Sequence, residues 1–133
     1  RGELMVKGSK VAVIAAGPSA YRAAEAAAEV ESETGWKPSI YNIRYIKPID
    51  QELLSDIAKE YDSIITVEDG TVLGGLFGAV AEFMASRGYN MPIHPIGIPD
   101  RYLSQGTQTE LWEECGLTAG EIKKVILQKN EKK

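Results

Sequence analysis

Only one cysteine, Cys115, and one histidine, His94, occur in the 133 residues. A lone thiol excludes an internal disulfide, and a single imidazole leaves too few soft ligands for a zinc cluster. Cys115 reads as a small apolar filler, since its activation as a nucleophile would need His94 beside it. No run of 18 apolar residues and no signal-like N-terminus is present, which argues against a membrane span and for a reducing, cytoplasmic setting. Basic residues are in the minority, 15 Lys and Arg against 19 Asp and Glu, for a net charge of −4. A general affinity for nucleic acid or anionic lipid is therefore not expected. Trp36, Tyr89, Tyr102 and Trp112 are scattered and do not interleave with basic residues as a stacking platform for single strands would.

The chain opens on Arg1 and enters strand-like sequence at once, as though excised from a longer polypeptide or freed of a leader. Its length suits one domain with an ordinary core. Glu3 to Lys7 reads as a strand, Gly8 to Lys10 as a tight connection, and Val11 to Ala16 as a buried strand. Pro18 then suits a first helical turn with Ser19 as its cap, opening an Ala-rich helix that Gly35 ends near Thr34. Ile40 to Ile46 reads as the next strand. Asp50 is placed to cap a helix with Glu52 in its first turn and an apolar stripe of Leu53, Leu54, Ile57 and Ala58. Ser63 to Val67 is a further strand, followed by a helix carrying Leu76, Val80, Phe83 and Met84 and closed by Gly88. Met91 to Ile98 reads as a strand, Thr107 to Glu114 as a short helix ended by Gly116, and Thr118 to Gln128 as a terminal helix. Residues 129–133 form a charged tail expected to fray.

Strands that alternate with helices of this length predict parallel pairing through right-handed crossovers, hence a three-layer α/β/α domain over residues 1–128. In such sheets ligands and partners gather at the carboxyl ends of the strands. That places Gly17, Arg44 to Pro48, Glu68 to Gly75 and Gly97 to Arg101 near one rim. Ile96 to Thr107, where an apolar run turns into Pro99, Asp100 and Arg101, reads as a contact surface. The glycines at 70, 74, 75 and 78 invite an anion at a helix start. However, no Gly-x-Gly-x-x-Gly or Lys-Ser/Thr follows, and Glu68 and Asp69 would repel a phosphate. His94 lies in an apolar strand, with no second His and no Ser, Cys or carboxylate at a catalytic spacing in the sequence, and reads as a structural imidazole. No triad, carboxylate dyad or metal cluster emerges.

The ordered segments Val11 to Gly17, Arg44 to Asp50, Thr66 to Gly70, Gly74 to Gly78 and Ile96 to Tyr102 resemble the C-terminal domain of the 1-deoxy-D-xylulose 5-phosphate synthases. Those enzymes fall within the transketolase-like group. The resemblance implies a five-stranded mixed, mostly parallel sheet whose first strand is antiparallel. It also implies a full-length, homodimeric enzyme of isoprenoid and thiamine biosynthesis that condenses pyruvate with glyceraldehyde 3-phosphate and releases CO₂. That enzyme would use thiamine diphosphate and Mg²⁺ held by preceding domains of the same polypeptide. Glu68-Asp69-Gly70 does not match the Gly-Asp-Gly pattern of the magnesium diphosphate motif, so no catalytic, cofactor or metal residue is carried onto this chain, and the isolated piece is expected to be inactive. What the resemblance assigns is a supporting role, with Glu68, Gly74, Gly75, Asp100, Arg101 and Tyr102 as candidate inter-domain or dimer contacts. Two alternatives stand beside it: the matching domain of a transketolase or a 2-oxoacid dehydrogenase beta subunit, and a free-standing module holding an anion at Gly74 and Gly75.

Overall fold

The computed structural model describes residues 2–44, 48–69, 75–98 and 108–131. The elements run β1 (Glu3–Val6), β2 (Val11–Ala16), α1 (Ser19–Thr34), β3 (Ser39–Ile43), α2 (Gln51–Glu60), β4 (Ser63–Asp69), α3 (Gly75–Ser86), β5 (Ile93–Ile98) and α4 (Gln108–Glu131). Five strands form one sheet in the order β1-β3-β2-β4-β5. β1 runs antiparallel to β3 and every other pair is parallel. The mixed sheet and the antiparallel first strand agree with the expectation from the resemblance.

Alternation along the central strands sorts the core into two layers, because successive side chains leave opposite faces. Val11, Val13 and Ala15 of β2 join Ile40, Ile65 and Val67 on the face covered by α1 and α4. Ala12 and Ile14 join Tyr41, Ile43 and Ile64 on the face covered by α2 and α3. The alanines of α1 supply the first layer: Ala20, Ala23, Ala26 and Ala27 are fully buried, and their small side chains let the helix lie close on the sheet. Gly35 ends α1 in the left-handed region, at φ 78°, with its amide bonded to the Glu31 carbonyl. Asp50 caps α2 by accepting from the Leu53 amide at 3.1 Å. Leu54 and Ile57 are buried in the helix stripe, flanked by half-buried Leu53 and Ala58.

The structure departs from sequence expectation at several ends. Strand β3 covers Ser39–Ile43, beginning one residue before the expected start, while residues 45 and 46 of the expected 40–46 lie outside the described residues; β4 continues two residues past Val67, and β5 begins at Ile93, after Pro92. Ser19 is not a cap: it is the first residue of α1, and its hydroxyl donates to the Ala16 carbonyl at 2.8 Å and the Val67 carbonyl at 3.2 Å. The two helices expected after residue 107 are one, α4, with Gly116 and Gly120 inside it, and it continues beyond Gln128 to Glu131. An interior glycine costs a helix about 1 kcal/mol relative to alanine. Burial of Ala119, Ile122, Val125 and Ile126 along α4 offsets that penalty. Near its end, Asn130 receives two hydrogen bonds from the Lys10 ammonium, 3.2 Å to the carbonyl and 3.1 Å to Oδ1.

Candidate functional site

β2 feeds a crossover toward β3, whereas its neighbour β4 feeds one toward β5. The crevice outside the carboxyl ends of β2 and β4 is therefore the topological switch point of the sheet. Gly17, at φ 67°, turns the chain out of β2 into α1. Ser19, through its bonds to Ala16 and Val67, ties the ends of these two strands together.

Glu68, near the end of β4, is 1 % exposed. Its carboxylate spans the start of α3: Oε1 accepts from the Leu76 amide at 2.9 Å and Oε2 from the Phe77 amide at 3.2 Å. These are amides that a helix start leaves without an intrahelical partner, and the negative charge meets the positive end of the helix dipole. An external anion at the Leu76 and Phe77 amides would have to displace an internal carboxylate, while Gly74, the other half of the anion-binding reading, lies outside the described residues. Sequence reasoning placed Glu68 among contact residues and missed this anchoring role. Local capping rules reach about three residues, whereas here the acceptor precedes its donors by eight and nine.

Of the other sequence candidates, Gly75 is the first residue of α3, in the same strand-to-helix passage as Glu68. Gly74, Asp100, Arg101 and Tyr102 lie outside the described residues, as does most of the Ile96 to Thr107 segment. His94 is half-buried in β5. Thiamine diphosphate with Mg²⁺ does not fit what is described: Glu68 holds the α3 amides, and among the described residues no three His, Cys, Asp or Glu side chains gather to hold a metal. No described helix is long and apolar enough to cross a membrane.

A polar network that the sequence did not disclose lies at the start of β3 and the end of α2. The Tyr61 hydroxyl donates to Ser39 Oγ at 2.6 Å, and Tyr41 and Tyr61 share a hydrogen bond of 2.9 Å. Ser39 Oγ also accepts from the Gly8 amide at 2.8 Å. Lys7 pairs with Glu60 and sits 5.6 Å from the centre of the Tyr61 ring. Burial, and then the bond to Tyr61, hold the Tyr41 hydroxyl well above the usual tyrosine range. The hydrogen bonds are internal and the tyrosines buried, so the network braces the sheet rather than offering a reactive group.

The surface between α2 and α3 is concave. An open groove of about 360 Å³ is lined by Pro48, Ile49, Gln51, Ala79, Phe83 and Arg87, among others. The Arg87 guanidinium stacks 4.8 Å from the Phe83 ring centre and donates to Gln51 Oε1 at 3.3 Å.

Residues 1–122 match the transketolase C-terminal domain family. The 1-deoxy-D-xylulose-5-phosphate synthase of Bacteroides thetaiotaomicron is 39 % identical over 131 residues, 98 % of this chain and 20 % of the relative. That of Phocaeicola vulgatus is 38 % identical over 127 residues, 96 % of this chain and 20 % of the relative. The chain thus spans about a fifth of the length of these curated relatives. Among solved structures, a split-gene transketolase described as an inactive beta4 tetramer is 33 % identical with a TM-score of 0.76, covering 96 % of this chain and 41 % of that one. A transketolase from Campylobacter jejuni, at 16 % identity and a TM-score of 0.54 over 96 % of this chain and 18 % of that one, shares the fold. On the sheet order, the antiparallel first strand and these matches together, the chain belongs to the transketolase C-terminal domain family.

Proposed function

We propose that residues 1–128 act as the third, supporting domain of a cytoplasmic, homodimeric, thiamine diphosphate- and Mg²⁺-dependent transferase that condenses pyruvate with glyceraldehyde 3-phosphate to 1-deoxy-D-xylulose 5-phosphate and CO₂. The observation that carries this reading is identity of 38–39 % over nearly the whole chain to synthases five times its length. When bound, thiamine diphosphate supplies the carbanion-stabilising chemistry, and no residue of this chain is assigned a part in that step. The chain's own task is mechanical. Ser19 and Glu68 hold the ends of β2 and β4 and the start of α3 in one arrangement. That rigid rim would present Gly74, Gly75, Asp100, Arg101 and Tyr102 to a preceding domain or to the dimer partner, with Glu68 acting from behind through α3.

The test is an assay of the full-length polypeptide with pyruvate, glyceraldehyde 3-phosphate, thiamine diphosphate and Mg²⁺. CO₂ release that requires both substrates is expected. A polypeptide that does not consume pyruvate overturns the reading and favours the second one, a transketolase, for which the 33 % identity to the split-gene enzyme speaks. Calorimetry of thiamine diphosphate into residues 1–133 alone is expected to show no binding, and micromolar binding would contradict the supporting role.

A further inference from the structure

The point where the chain enters the fold lies beside the concave surface between α2 and α3. The Gly2 amide donates to Asp50 Oδ2 at 3.1 Å, although 48 residues separate them. A Cβ at Gly2 would sit 2.2 Å from Leu53 Cδ2, so the backbone there rests directly on α2. Asp50 thus anchors two things: Oδ1 caps α2 and Oδ2 holds the incoming strand. Asp50 also lines an open depression of about 600 Å³ formed by residues 48–52. This depression shares Pro48, Ile49 and Gln51 with the groove against α3, so the two lie on either side of the same residues.

The groove has two kinds of wall. Pro48, Ile49 and Ala79 offer apolar surface over the nearly buried Phe83, while Gln51, Glu82, Ser86 and Arg87 offer polar groups. Arg87 lies over the Phe83 ring with one 3.3 Å bond to a neutral amide, which leaves guanidinium N–H groups able to donate to a carbonyl or carboxylate. An extended peptide with one apolar side chain suits such a surface, because it alternates side chains with backbone acceptors along its length.

We infer that this groove seats the stretch of polypeptide immediately preceding Arg1, fixing the angle at which the domain joins the rest of the enzyme. The inference rests on the reading above, in which further domains precede this chain; the relatives carry about four-fifths of their length outside the matched span. Three observations carry it: the entry strand is pinned to Asp50, Asp50 lines the depression, and the depression shares Pro48, Ile49 and Gln51 with the groove that Phe83 and Arg87 also line. A segment held in this way acts as a strap rather than a free linker, so that the rim at the carboxyl edge keeps one orientation toward its neighbour.

Hydrogen exchange on the full-length polypeptide tests this. Amides in the ten residues before Arg1 should exchange at least tenfold more slowly than an unstructured peptide. Arg87→Glu and Ala79→Arg should each raise those rates several-fold, while amides of α1, on the opposite face, keep their protection and report that the domain stays folded. Unprotected preceding amides in the unaltered polypeptide would overturn the inference, and so would protection that neither variant changes. Should both variants unfold the domain, Ser86→benzoylphenylalanine gives an independent reading, since Ser86 lines the groove. Irradiation should join it to the residues before Arg1, and crosslinks only elsewhere would refute the strap. Exchange and crosslinking do not depend on turnover, so the strap can fail while pyruvate condensation stands, and the reverse.

Discussion

Gly8 is where the structure predicts a small change to do most harm. A Cβ there would lie 2.2 Å from the Lys37 carbonyl oxygen, 2.4 Å from the Pro38 oxygen and 2.5 Å from the Pro38 carbonyl carbon. All three are backbone atoms, so no side-chain rotation can relieve the contact. For Gly8→Ala, the β1–β2 connection must draw away from the approach to β3. That movement strains the Ser9 amide bond to the Lys37 carbonyl, 3.1 Å, and the Gly8 amide bond to Ser39 Oγ, 2.8 Å. Overpacking of this kind costs about 1–3 kcal/mol, and losing a hydrogen bond adds about 1 kcal/mol. A total of roughly 2–4 kcal/mol is a large part of the 5–15 kcal/mol of a typical domain. Urea unfolding followed by tryptophan fluorescence suits the measurement, because Trp36 Nε1 donates to the Ser9 carbonyl and hydroxyl in the same connection, each at 3.1 Å. Gly17→Ala is the control, since a Cβ there meets nothing within 4 Å and pays only for its φ of 67°. A left-handed non-glycine residue costs roughly 1–2 kcal/mol. If Gly8→Ala lost less than Gly17→Ala, the close-approach argument would be refuted.

Other consequences can be measured in the same assay. Glu68→Ala should cost about 1–3 kcal/mol by leaving the Leu76 and Phe77 amides without their acceptor, with Glu68→Gln costing less; equal losses would show that charge and not acceptance matters. Ile65→Ala, in the sheet layer under α1, should cost about 2–5 kcal/mol, and a loss below 1 would mean the layer is loosely packed. Asp50→Ala should cost about 0.5–2 kcal/mol through the α2 cap and should also loosen β1, read as faster exchange at Leu4 and Val6. Tyr41 carries a pH dependence. Its native hydroxyl keeps a proton that the unfolded chain releases above about pH 10, so the unfolded state binds fewer protons there and stability falls as pH rises. Tyr41→Phe should flatten that alkaline decline, and an unchanged slope from pH 9.5 to 11 would assign it to another group.

The layers of this fold were legible because their signals are local. Val11 to Ala16 is apolar throughout and is the central strand, buried on both faces; the alanines of α1 and the 76, 80, 83, 84 spacing of α3 mark faces that the structure buries. Gly35 and Asp50 act as the sequence suggests, since a helix stop and a helix cap depend on neighbouring residues. What could not be read depends on distance along the chain. Glu68 meets its donors eight and nine residues later, Gly8 meets Ser39 and Pro38 across two strands, and Tyr41 meets Tyr61 only once α2 has folded back. Glycine misled at 116 because it permits a helix end without requiring one, and burial farther along α4 decided the outcome. At the candidate rim, the bonds of Glu68 to the start of α3 were not legible in the sequence, and the contact roles of Glu68, Gly74, Gly75, Asp100, Arg101 and Tyr102 stand on motif resemblance alone.

The central claim is that this domain holds a neighbour in place and does no chemistry. Sedimentation of the full-length polypeptide, paired with its activity over a range of concentrations, tests that claim most directly when made with and without Arg101→Glu. The account predicts that the variant dissociates more readily, that activity falls with the dimer fraction, and that turnover per dimer returns to the unaltered value at high concentration. Loss of turnover in a dimer that remains intact would contradict the dimer contact and leave Arg101 either against a preceding domain or beside the reacting groups.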